Sequence, residues 1–328
     1  MSKSILIASA RVDEPTYKPV GDILERNGYS VVVYQTDRVL SGEDQYTVAL
    51  TSDAELSIDY NGVSILPERI SAAWYRKVGS FDLPYKEPQV AKQLYVNNEV
   101  RHLHEMVWSL YPEDMWLSSP QNLARADRKL WQMMVAHEVG FSIPQTVISS
   151  EWDTISTTLL PTEDSRMVIK MLRGVISENN QLKAMYTHVT DQREVDSLKG
   201  YTYPFPAFYQ PYVEKAREWR VTVVGERVFS TAIYTDEYAK DDWRRLQLTP
   251  AVQFKKEQLP DWIDERCIQY LSKMGLKFGA FDFIEKPDGE VVFLECNPNG
   301  QYGWLEEELG LPISEAVAAE LIKIAKHR

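Results

Sequence analysis

Apolar positions open the chain as a continuous run, Ile5-Leu6-Ile7, the pattern of a strand buried on both faces. A helical segment over residues 20–27 follows and stops at Gly28, and Val31-Val32-Val33-Tyr34 reads as a second strand. Strand, helix and strand at this spacing predict a parallel βαβ unit. Asn61-Gly62 predicts a tight hairpin turn, since both residues tolerate the positive φ that such turns require. A further strand is expected over 72–76, then a long helix over 88–110 with Leu94, Val100, Leu103 and Val107 on or near one face.

The pattern changes after Ser118-Ser119-Pro120, a candidate boundary. Leu123, Ala126, Leu130, Met133 and Met134 recur at helical spacing and predict one helix over 121–139, ended by Gly140. Ile143-Pro144-Gln145-Thr146, a short helix and a strand over 167–170 come next. Residues 172–192 are polar, with Gly174 and Asn179-Asn180, and read as a loop or hairpin. From Ala207 the pattern is mostly β: a strand over 209–213 and a hairpin over 219–233 turning at Gly225-Glu226. A helix over 261–274, a hairpin over 278–296 turning at Asp288-Gly289 and a terminal helix over 313–324 complete the chain.

Composition narrows the function. A chain of 328 residues can hold two or three cooperating subdomains, and a net charge of -12 argues against nucleic acid or an anionic membrane as partner. No run approaches the roughly 18 apolar residues of a membrane helix. The apolar start is too short for a secretion signal and meets Arg11, Asp13 and Glu14 at once. Cys267 and Cys296 are the only cysteines and form no CxxC pair, so a reducing, cytoplasmic setting is expected. There is no Walker A sequence, no GxSxG and no HExxH, since His137-Glu138 lacks a second histidine. His102 and His104 read as helix-surface residues. A homodimer is the commonest assembly for such a chain.

The candidate chemistry lies in the last hairpin. If Asp288-Gly289 is a two-residue turn, pairing outward sets Asp282 opposite Glu295. Residues two apart on a strand share a face, so Asp282, Glu295 and Asn297 project together while Phe281, Phe283, Leu294 and Cys296 face the other way. Two carboxylates and an amide oxygen this close call for a cation, and such oxygen donors suit magnesium. A solvated hairpin face is the alternative, against which the apolar residues flanking both carboxylates weigh.

Basic residues suited to a triphosphate are scattered before it. Lys129 lies just off the apolar face of the 121–139 helix, and Lys170 ends a strand before the Gly174 loop. Arg220 alternates with Trp219 and Val221 in a strand, and Arg244 sits in Asp242-Trp243-Arg244-Arg245, where a guanidinium fork could clamp a phosphoryl group. Singly, each also reads as an ordinary surface charge.

Taken in order, Lys129, Gly140-x-x-Ile-Pro-x-Thr146, Lys170, the glycine loop, Gln210-Pro-Tyr-Val213, Arg220 and Asp282…Glu295-x-Asn297 resemble the ATP-grasp superfamily. Trp74-Tyr-Arg-Lys77, Tyr186-Thr187, Gln210-Pro-Tyr-Val-Glu-Lys215, Glu218-Trp-Arg-Val-Thr-Val-Val-Gly225, Asp242-Trp-Arg244 and the last hairpin through Gln301 are similar to the ATP-grasp ligases that cyclise ribosomal peptides of the microviridin, or graspetide, type. The resemblance implies an α+β protein with the ATP-grasp fold, the nucleotide held between two α+β lobes. An N-terminal α/β domain over 1–118 would precede a central lobe over 119–206 and a C-terminal lobe with the metal site over 207–328. It implies ATP contacts from Lys129, Lys170, Glu178 and Lys215, and an adenine hinge at Gln210, Pro211, Tyr212 and Val213. Magnesium would fall to Asp282, Glu295 and Asn297, and the γ-phosphate and acyl phosphate to Arg220 and Arg244. Glu214 and Glu218 compete for the ribose.

The implied reaction is phosphorylation of an Asp or Glu side chain of a precursor peptide, then ester formation with Thr or Ser, or amide formation with Lys, in the same peptide. The peptide's leader would dock on the enzyme, near residues 172–192. A related carboxylate–amine ligase acting on a small molecule or protein terminus, and a non-catalytic ATP-binding regulator, share the same nucleotide residues and stay open at this point.

Overall fold

The computed structural model describes residues 3–78, 90–160, 162, 165–170, 172, 175–178, 181–184, 188–190, 194, 202–236 and 249–328. Arg244 and the Tyr186-Thr187 stretch lie outside the described residues. Strand β1 (Ser4–Ser9), helix α1 (Glu14–Arg26) and strand β2 (Val31–Gln35) form the expected parallel unit. Helix α1 starts earlier than the pattern suggested, because Pro15 falls in its first turn, where no intrahelical N–H is needed. Helix α2 (Thr36–Ser41) leads to an antiparallel set, β3 (Tyr46–Leu50), β4 (Leu56–Tyr60) and β5 (Val63–Ser64), with Asn61 and Gly62 at φ 51° and 78° in the tight turn. Strand β6 (Ile70–Tyr75) pairs in parallel with β1, giving the order β2-β1-β6.

Both faces of this sheet are covered, which is why its strands read as unbroken apolar runs. Leu6, Ala8, Tyr34 and Ala73 pack with Trp108 of α3 (Val90–Trp108) and with Trp116. Ile5, Ile7 and Trp74 pack instead with Leu305, Leu321 and Ile324 from the end of the chain. His102 is exposed as expected, but His104 is only 4% exposed and meets Tyr34 Oη at 2.9 Å. The expectation of two surface histidines is corrected for His104, because the helix turns that residue toward the parallel sheet.

The single helix expected over 121–139 is two, α4 (Pro120–Ala126) and α5 (Lys129–Glu138). Arg128 takes an extended backbone at φ −85° and ψ 106°, and the Gln132 side chain donates to Ala126 O at 2.7 Å, serving a carbonyl at the end of α4. The break rotates the buried face onto Gln132, Met133, Val135 and Ala136, while Leu130 and Met134 are 52% and 57% exposed.

Strand β7 (Val147–Glu151), helix α6 (Trp152–Leu159), β8 (Met167–Lys170), the β9 (Val175–Glu178) and β10 (Gln181–Ala184) hairpin, β11 (His188–Thr190) and β12 (Thr202–Pro211) follow. A four-stranded sheet runs β11-β8-β12-β7. Strand β12 begins before the 209–213 run that marked it in the sequence. The larger sheet adds β13 (Arg217–Val224), β14 (Arg227–Thr235), β15 (Val252–Lys256), β16 (Phe278–Glu285) and β17 (Val291–Asn297) in the antiparallel order β15-β14-β13-β16-β17. One face packs Trp219, Val221, Phe281, Phe283 and Phe293 against α4, α5 and α7 (Asp261–Met274), through Leu123, Met133, Cys267 and Leu271. Helices α8 (Gly303–Leu309) and α9 (Ile313–Lys326) end the chain.

The last hairpin reaches its expected pairing by a different route. Its tip is three residues long, since Lys286 N donates to Glu290 O and Gly289 takes φ 87°. That tip sets Phe283 opposite Phe293, and the register then shifts so that Asp282 faces Glu295. Leu294 is the surplus residue of this bulge. Phe293, and not Leu294, therefore joins Phe281, Phe283 and Cys296 in the core.

Candidate active site

The free face of the larger sheet carries the acidic residues. Arg220 pairs with Asp282 across β13 and β16, and Asp282 pairs with Glu295 across β16 and β17. The three form one cross-strand row, continued on the other side by Thr231 and Lys256. Asn297 lies two residues beyond Glu295 on the same face and opposite Ala280. The Asp282 and Glu295 side chains are 15% and 25% exposed, sheltered yet reachable from solvent.

Each carboxylate is faced by a cation. Lys129 Nζ lies 3.0 Å from Glu295 Oε2, which the helix break makes possible by setting Lys129 at the start of α5. Arg220 Nε lies 3.3 Å from Asp282 Oδ1. That contact is an ion pair without hydrogen-bond geometry, so Arg220 Nε and Nη1 are buried donors with no hydrogen-bond partner among the described residues. Among the described residues no group of three or more His, Cys, Asp or Glu is placed to hold a metal; the candidate donors on this face are two carboxylates and one carboxamide. All three donors are oxygens, the kind a hard divalent ion takes.

Strand β17, which carries Glu295 and Asn297, is clamped from outside. Gln132 donates to Cys296 O at 2.9 Å and accepts from Cys296 N at 3.1 Å. Ser142 O accepts from Phe293 N at 2.9 Å on the same edge. Cys296 itself is inert, because burial pushes its thiol well above the ordinary range, with Asp282 and Glu295 adding to the shift. Past the strand, a Cβ on Gly300 would stand 2.4 Å from Ala280 Cβ, so glycine lets this loop fold back onto β16.

The other expected residues line the second sheet and the connection between the sheets. Lys170 ends β8 opposite Phe208 of β12. Gln210 is buried, and its amide nitrogen donates to Thr146 Oγ1 at 3.0 Å and contacts Met133 Sδ at 3.7 Å, while among the described residues its Oε1 has no hydrogen-bond partner. Pro211 ends β12, and Tyr212 N donates to Arg166 O at 2.8 Å while Arg166 stacks on the Tyr212 ring. Val213 follows, half-buried, in the connection to β13. Lys215 pairs with Glu218, their side chains 7% and 12% exposed. Glu218 lies two residues before Arg220 on the open face, whereas Glu214 pairs with Arg166 at the surface. Glu178 ends β9.

Sequence reasoning missed Gln132, Asp13 and the partners of Arg76. Gln132 carried a signal, a polar residue one place before Met133 on the apolar stripe, hidden by the unbroken helix assumed there. Arg76 and Asp13 are fully buried and meet the segment after Asn297.

No protein-family model and no curated protein matches the chain. Solved structures do. A Chryseobacterium gregarium RiPP-associated ATP-grasp ligase, in complex with ADP and a leader and core peptide, aligns at TM-score 0.83 and 26% identity over 98% of this chain and 97% of that one. Macrocyclase MdnC from Microcystis aeruginosa MRC, bound with precursor peptide MdnA, aligns at 0.81 and 26% identity, covering 98% and 99%. ATP-grasp ligase PsnB, complexed with a phosphomimetic minimal precursor, Mg and ADP, shares the fold at 0.76 with 17% identity and 99% coverage of each chain. The chain has the ATP-grasp fold, and a likeness that runs from end to end of both chains supports an ATP-grasp ligase of the graspetide type.

Proposed function

We propose that the chain uses ATP and magnesium to phosphorylate an Asp or Glu side chain of a ribosomal precursor peptide. It then forms an intramolecular ester with Thr or Ser, or an amide with Lys, releasing ADP and phosphate. The observation that carries this is the row Arg220, Asp282, Glu295, with Lys129 set against its acidic end.

The row is balanced in a way that suits an exchange of partners. A magnesium ion would neutralise phosphate oxygens and take Asp282, Glu295 and Asn297 as ligands. Lys129 and Arg220, relieved of the carboxylates they face, would turn to the phosphates. The two buried Arg220 donors that make no hydrogen bond to a described residue would then be the ones aimed at developing charge. Lys170, Glu178, Lys215 and the Gln210–Val213 backbone would complete the nucleotide site, and Arg244 would assist Arg220.

A carboxylate does not acylate an alcohol or amine at neutral pH, because its leaving group is poor. Phosphorylation supplies the leaving group, and catalysis is then mainly positioning and charge neutralisation. The residues 1–118, 119–206 and 207–328 are taken as the three units of this machine, and a cytoplasmic setting accords with two free cysteines. No described helix is long and apolar enough to cross a membrane. The peptide-bound complexes of similar structures favour a peptide substrate over a small molecule.

The test is to incubate the protein with ATP, magnesium and the short precursor encoded beside its gene, and to weigh the product. Loss of one water per bond, with ADP as nucleotide product, is expected. AMP in place of ADP would rule out the acyl-phosphate route.

A further inference from the structure

Asp13 and Arg76 come from the first part of the chain, and both side chains are 0% exposed. Arg76 Nε donates to Asp13 Oδ2 at 3.1 Å. Its Nη1 donates to two backbone carbonyls of the segment after β17, Asn299 O at 2.7 Å and Gly300 O at 3.0 Å. Nη2 donates to Gln301 Oε1 at 2.7 Å, and the Gln301 amide returns to Asp13 Oδ1 at 3.1 Å, closing the ring.

A buried ion pair adds little net stability, since desolvating two charges offsets most of their attraction. Its placement here suggests a different role. Asn299 N–H donates to Asn297 Oδ1 at 3.2 Å. The residue whose carbonyl Arg76 grips is thus the residue whose N–H orients the Asn297 amide. A carboxamide oxygen has two lone pairs, so one held this way leaves the other for a metal.

We infer that Asp13, Arg76 and Gln301 are positioning residues for the metal-ligand set, fixing the Asn299–Gly300 backbone so that Asn297 presents its oxygen beside Glu295 and Asp282. This rests on the function proposed above. The three act through the backbone of Asn299, as outer partners act on ligands they orient. An arginine is required because a planar fork with five donors reaches Asp13, two carbonyls and Gln301 together, which a lysine cannot.

The experiment titrates full-length wild type, Arg76→Lys and Gln301→Met with magnesium chloride at fixed ADP, reading nucleotide binding by calorimetry and folding by thermal unfolding. The half-saturating magnesium concentration is expected to rise about 10- to 100-fold in folded Arg76→Lys, the range for loss of an outer ligand partner. Magnesium-free ADP binding should be unchanged, which general loosening of the fold would not allow. Gln301→Met should shift the same quantity in the same direction, and it alone decides if Arg76→Lys does not fold, because it leaves the Asp13–Arg76 pair in place. Folded variants with wild-type magnesium dependence overturn the inference. A wild type whose ADP binding ignores magnesium overturns the proposed function itself, and is recognised because the unmutated protein fails.

Discussion

The side-chain amide of Gln132 pairs with both backbone groups of Cys296, donating at 2.9 Å and accepting at 3.1 Å, as a neighbouring strand would. Cys296 lies between Glu295 and Asn297, so this clamp holds the outer edge of β17 beside the proposed metal ligands. Gln132→Met keeps the volume and removes the clamp, leaving buried backbone groups unpaired. A loss of about 2–4 kcal/mol in denaturant unfolding is expected, with reduced ADP release in the protein that stays folded.

Arg220→Met should separate stability from turnover. The buried Nε and Nη1 make no hydrogen bond to a described residue, and unpaired donors of that kind cost about 1–3 kcal/mol each. Removing them relieves that cost but leaves the sheltered Asp282 carboxylate without its cation, so a stability loss of no more than about 3 kcal/mol is expected. ADP release should fall by about a hundredfold or more, the scale for removing a donor aimed at transition-state charge. Parallel chemical denaturation and steady-state assays check both.

Lys129→Met tests the other cation. Its pair with Glu295 is partly exposed, 23% and 25% at the side chains, and such pairs contribute about 1 kcal/mol or less. Unfolding should barely move. Nucleotide affinity in the presence of magnesium should fall about tenfold or more, as for loss of a charge-assisted contact.

A pH effect follows from His104, whose pKa burial lowers from 6.5 to about 4. The folded protein keeps this imidazole neutral while the unfolded chain protonates it below its ordinary value. Stability from this group is complete above pH 6.5 and declines as pH falls toward 4, by an amount of order 3 kcal/mol. Unfolding midpoints of wild type and His104→Gln across that window should converge at the acid end.

Local signals in the chain were enough for the strands of the parallel sheet, the turns at Asn61-Gly62 and Gly225-Glu226, and the pairing of Asp282 with Glu295. Each rests on neighbours in sequence: apolar runs, turn chemistry, alternation. What stayed hidden depends on partners far along the chain. The break before Lys129 is supported by Gln132, whose other partner is Cys296, 164 residues away. Arg76 is buried because Asp13 and the Asn299–Gln301 segment surround it, more than 220 residues from its own position for the latter. His104 needed a tyrosine 70 residues earlier to be read as a core residue. No spacing rule reaches that distance. The acidic pairing was reached with the wrong turn length, because a longer tip and a surplus residue cancel.

That surplus residue, Leu294, divides the last hairpin into two independent ladders. The distal one, from Phe283 and Phe293 to the tip, answers to the packing around Phe141; the proximal one, from Asp282 and Glu295 onward, answers to Gln132 and Arg76. A slip or a change of length at the tip is absorbed at Leu294 before it reaches the carboxylates. The bulge acts as a firebreak, and the tip of this hairpin is where the chain can vary without disturbing the row of Arg220, Asp282 and Glu295.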